Sequence, residues 1–149
     1  MKKVTYFLLL ATLFSCSDGG YKDTLSKSVE QVWDIDCSCS VMLQIIQKSY
    51  DYGMDIDSPV LQESVDETIN RIKPTIDSLR LNVEILRKIN PEEPSFKDIS
   101  ILYEKSQELV HQLENGDIGG LDTLVVFVEE KVESVREKYN IPNPHKKKE

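Results

Sequence analysis

The side chains able to do chemistry are few. Glu104, Glu108 and His111 stand at helical spacing, so two carboxylates and one imidazole can share a face. Such a trio is a weak metal cluster. It lacks the paired histidines of a helical zinc site and the repeated Glu-x-x-His of a di-iron bundle. Cys37 and Cys39 flank a single serine. Three readings stand for them: buried inert thiols, a tight or intermolecular disulfide, or part of a metal or redox site. Two thiols supply at most half of a four-ligand zinc site, and the usual redox motif has two residues between its cysteines. On a helix, residues two apart point to nearly opposite sides, so a bridge between them needs a break. Glu129, Glu130, Glu133 and Glu137 form an acidic row that reads as a solvated face or as a patch facing a cation or partner. No nucleophile elbow, phosphate loop or dinucleotide fingerprint is present. No residue is assigned a catalytic, cofactor-binding or metal-binding role.

The elements that carry these residues follow from apolar spacing. Leu25, Val29, Val32, Trp33, Cys39, Met42, Leu43, Ile46 and Tyr50 trace one helical stripe over residues 25–50. Trp33, Ile35, Cys37, Cys39 and Val41 also alternate as a strand does, so an irregularity is expected at 34–40. Ser58 and Pro59 signal a helix start, because the hydroxyl caps free amides and proline has none to leave unsatisfied. Leu61, Val65, Ile69, Ile72, Ile76, Leu79, Val83 and Leu86 follow in near-heptad order. Leu81, Ile85 and Ile89 widen that face. Pro74 lies inside this helix and predicts a bend, the alternative reading being a functional hinge. Pro91 stops it. Ser95 with Asp98 reads as a capping box for a third helix, ended by Asn115-Gly116. Leu121, Leu124, Val125, Val128, Val132, Val135 and Tyr139 form the fourth stripe.

Four amphipathic segments with short connections predict an all-α fold, an up-and-down four-helix bundle with a long, Pro-bent second helix. The 149 residues suit one domain. The expected folded unit is 25–140, and 141–149 reads as a polar tail ending in three lysines. His145 falls in that tail.

The beginning of the chain is different. Lys2 and Lys3 precede the apolar run Tyr6–Phe14, which is too short to span a bilayer and has the form of an export signal. The run ends Leu13-Phe14-Ser15-Cys16, then Ser17-Asp18-Gly19-Gly20. This resembles the lipobox of bacterial lipoproteins, and the Ser-Asp start resembles envelope lipoproteins of Bacteroidota. The resemblance covers about the first 20 residues. It implies a signal peptide at 1–15, a Cys16 that becomes the first mature residue and carries diacylglycerol and an acyl chain such as palmitate, and a tether over 16–24. It also implies a lipid-anchored protein of the cell envelope, at the outer membrane.

Loss of Lys2 and Lys3 with the signal takes the net charge from −8 to −10. So acidic a domain is repelled by nucleic acid and by anionic headgroups, which excludes a nucleic-acid partner and leaves the membrane contact to the lipid. The expected function is a noncatalytic, membrane-tethered binding or scaffold domain. Its partner is an envelope protein or a second copy of the chain. The alternative is a small envelope enzyme or metal-dependent factor using His111 with Glu104 and Glu108.

Overall fold

The structure is a computed structural model that describes residues 2–55 and 58–145, with side chains described from Gly19 onward. Cys16 lies outside the described side chains. Four helices follow one another: α1 (Lys2–Asp51), α2 (Pro59–Ile89), α3 (Pro94–Asn115) and α4 (Ile118–Tyr139). No strand occurs among the described residues.

Contacts between helices fix the up-and-down order. Thr68 on α2 meets Met42 on α1, and Asn82 further along α2 meets Gln31 earlier on α1, so the two run antiparallel. Asp98 at the start of α3 meets Lys138 at the end of α4. Tyr21 of α1 meets Ser95 at the start of α3, and α1 and α3 run parallel. α1 and α3 also touch across the middle, whereas α2 and α4 do not, so the cross-section is a rhombus with a short α1–α3 diagonal.

The expected stripes are the core. Val29, Val32, Leu79, Leu86, Ile99, Leu102, Leu109, Leu121, Val128 and Val132 are fully enclosed. At roughly 25 cal/mol per Å² of apolar surface removed from water, this shared seam is the main source of stability. Leu81, Ile85 and Ile89 lie outside it and are exposed, as are Tyr50 and Tyr52.

Helix ends match the sequence signals in part. Ser58 Oγ accepts from the Leu61 amide at 3.4 Å, and Pro59 takes the first helical position. Gly116 closes α3 at φ 67°, the left-handed conformation that glycine adopts without strain. Asp117 caps α4 through the Gly120 amide at 3.0 Å. α2 runs on through Pro74 without interruption; the ring leaves the Asn70 carbonyl without its helical donor and crowds the turn before it.

Four expectations need correction. The Ser95–Asp98 capping box does not form, because Pro94 already occupies the first helical turn and Glu93 is the cap residue, with no side-chain cap bond. Ser95 instead meets Tyr21, and Asp98 turns toward α4. α1 shows no irregularity at 34–40. The Ser38 hydroxyl donates to the Asp34 carbonyl at 2.8 Å, which satisfies a polar side chain without breaking the helix. Residues 19–24 are helical rather than a slack tether, and the chain after Asn140 folds back on the bundle instead of trailing away.

Candidate functional site

The trio of Glu104, Glu108 and His111 is not assembled into a ligand set. Glu108 is engaged by Lys105 at 2.6 Å, His111 shares a hydrogen bond with Asn115 one turn on, and Glu104 points to solvent. Among the described residues no group of three histidine, cysteine or acidic side chains is placed to hold a metal ion.

Cys37 and Cys39 are both free thiols on the unbroken α1. Burial, with the neighbouring Asp36 charge adding to it, pushes the Cys39 thiol up to about 12. Burial also raises Cys37, helped by Asp36, Asp34 and Glu129. Both effects work against the thiolate, the form that reacts and binds metal.

Cys37 nonetheless borders an open groove of about 470 Å³ between α1 and α2. Ile35, Val41 and Ile72 line it with Asp34, Ser38 and Arg71. Thr75, next in sequence to Pro74 on α2, also lines it. Val41, at the groove, is 54% exposed; Ile45 one turn on is 44% exposed, and Val60 near the start of α2 is 67% exposed. This flank lies along the half of α1 remote from Gly19.

Asp36 is the one carboxylate sunk in the apolar stripe of α1, and is 3% exposed. Its Oδ1 has no hydrogen-bond partner. Burial pushes its carboxyl up to about 7, and Glu129 on α4 adds like-charge repulsion. The signal was in the sequence: Val32, Asp36 and Cys39 fall on one stripe, so a helical reading already puts Asp36 inside.

Sequence reasoning missed the second feature of the α1–α4 seam. Arg136 is buried, its side chain 2% exposed, and its guanidinium lies over the Trp33 ring with the central carbon 5.7 Å from the centroid. Nη1 donates to the Pro142 carbonyl at 2.8 Å. Nη2 is 3.1 Å from Glu30 Oε1, and Nε is 3.8 Å from Glu133 Oε1. These two are ion pairs without the alignment of a hydrogen bond. The chain that follows α4 completes the cluster. Ile141 is buried, Asn143 donates to Glu133 at 3.0 Å, and His145 stacks on Trp33 at 6.0 Å between ring centroids. No local pattern announces this arrangement, because Trp33 and Glu30 lie more than 100 residues from Arg136 in sequence.

At the opposite seam, Asp98 gathers Lys131, Lys138 and Tyr139. Burial works to raise its carboxyl, but these three donors hold it well below the usual carboxylate range.

No helix among the described residues is long and apolar enough to cross a membrane. Comparison with protein families, curated proteins and solved structures finds no match. The family of the bundle is therefore not assigned, and its reading rests on geometry.

Proposed function

We propose that the protein is a lipid-anchored, noncatalytic binding or scaffold domain of the bacterial cell envelope, held at the outer membrane through Cys16. The anchor rests on the basic start, the short apolar run and the Leu-Phe-Ser-Cys match. The binding role rests on one observation above all, the apolar flank of α1 and α2 with its groove at Cys37 and Val41. Large apolar side chains left exposed beside a groove are what an interaction face offers. It sits away from Gly19, hence away from a lipid on Cys16, where a partner has free approach. The thiols beside it are poor nucleophiles, so the groove is suited to holding a ligand rather than transforming one.

A photo-crosslinking residue placed at Val41 or Ile45 in the membrane-bound protein tests this. Adducts with an envelope protein, or with a second copy, are expected from these two sites and not from Glu104. Alanine at Glu104, Glu108 and His111 together should leave the adducts unchanged. Loss of the adducts in that triple variant, with stoichiometric metal lost alongside, would replace this reading with a metal-dependent one.

A further inference from the structure

The cluster at Trp33 has the composition of a recognition site rather than of a core. Its centre is an arginine lying over a tryptophan, the two residue types most often found at the energetic heart of interfaces. Two carboxylates, Glu30 and Glu133, flank it. What covers it is a short non-helical piece of chain, Ile141-Pro142-Asn143-Pro144-His145, that turns at its end, where the His145 amide donates to Asn143 Oδ1 at 2.9 Å.

This strap is attached unevenly. Ile141 is enclosed, but Pro142, Pro144 and His145 are exposed. Past Ile141 the strap is held by one carbonyl accepting from Arg136, the Asn143 side chain on Glu133, and the His145 ring on Trp33 with Nε2 3.8 Å from Glu30. These contacts suit a short peptide segment: an aromatic platform that takes the His145 ring, a buried side-chain donor to a peptide carbonyl, and prolines that leave no amide unsatisfied. The turn into the strap is Asn140, the only residue other than glycine with positive φ among the described residues, at 52°. It sets the strap apart from α4 as a separate unit.

We propose that the α1–α4 seam at Trp33 is a binding site for a proline-containing, cationic peptide segment. The chain's own Ile141–His145 occupies it in cis, and a partner's segment of the same chemistry enters when that strap lifts. The charge preference follows from Glu30 and Glu133, two carboxylates against the single guanidinium of Arg136, and from the net charge of −8. The resident segment has the same character, since Lys146, Lys147 and Lys148 follow His145 in the sequence. This site is separate from the α1–α2 flank and does not depend on the lipid anchor.

Trp33 is the sole tryptophan, so its fluorescence reports this site alone. The test uses the intact protein, a variant with Asn143→Ala and His145→Ala that loosens the strap without touching Ile141 or Arg136, and a peptide copying residues 141–148. Acrylamide should quench Trp33 more in the variant than in the wild type, with the helical circular dichroism unchanged. Added peptide should restore protection saturably in the variant. The wild type should need about tenfold more peptide or beyond, because its own strap leaves only a small fraction of sites open. Glu30→Gln, added to the variant, should weaken binding and reduce its salt dependence. No saturable protection in the variant overturns the proposal, and so does equal protection by a peptide of the same residues in scrambled order. If the variant loses helicity, the wild-type indole resonance of Trp33 at millimolar peptide decides. A saturable shift specific to the native order supports the site, and none overturns it.

Discussion

Asp98 Oδ1 on α3 lies 2.7 Å from Lys131 Nζ on α4, and its other oxygen takes Lys138 at 2.8 Å and the Tyr139 hydroxyl at 2.7 Å. One carboxylate thus joins the start of α3 to the end of α4. Asp98→Asn leaves a partly buried ammonium without its counter-charge and should cost about 2 kcal/mol of stability, read from urea unfolding midpoints. The carboxyl is held below its unfolded value, so its contribution is present above that value and is lost as pH falls beneath about 4. The Asn variant should show a weaker acid-side decline than the wild type.

Asp36 has the opposite sign. Its folded carboxyl stands near 7 against an unfolded value near 4, so the stability tied to its neutral form is complete at low pH. It is lost as pH rises through about 7, by at most about 4 kcal/mol. Unfolding midpoints should therefore decline between pH 4 and pH 8. Asp36→Asn, neutral throughout, should flatten that decline. An unaltered slope in the variant would assign the effect to another group.

The two thiols should differ in reactivity. Iodoacetamide at pH 8 should label half-buried Cys37 slowly and Cys39 only on global opening, with peptide mass spectrometry separating the two. The folded protein should form no bridge between them on oxidation. A Cys37–Cys39 disulfide in folded protein would require α1 to break at that point.

Processing at Cys16 should show directly in the intact mass of membrane-extracted protein. The mature chain should begin at Cys16 and carry acyl groups, and Cys16→Ala should yield an unprocessed or unlipidated form. A mature chain starting elsewhere, without acyl mass, would remove the anchor and with it the proposed orientation of the apolar flank.

The helices were legible because their signals are local. Apolar residues at intervals of three and four give the same stripes in sequence and in the core, and Ser58-Pro59 and Gly116 mark the ends they were read to mark. The strand-like alternation from Trp33 to Val41 was the harder case. It gives way to helix because Val32, Ile35, Cys39 and Met42 together reach one shared core, which a two-residue period would split between two faces. The Ser95–Asp98 box failed because a distant lysine pair and Tyr21 compete for the same side chains. The Arg136 cluster was illegible for the same reason. An arginine in the last turn of an acidic helix reads as surface, and only the return of the chain after Asn140 encloses it.

The rhombic cross-section sets an order of opening. α1 and α3 each pack against three neighbours, α2 and α4 against two. Of the two outer helices, α4 borders the seam that contains both Asp36, with an unsatisfied oxygen, and Arg136, held by a thin strap. Detaching α4 releases both buried charges to water while α1, α2 and α3 keep their shared contacts. Amide hydrogens in the middle of α4 should therefore exchange through a partial opening at lower free energy than those of α1 and α3. Raising the pH from about 4 to about 7 should widen that gap, because the buried carboxyl resists ionisation next to Glu129 on α4 and the opened one does not.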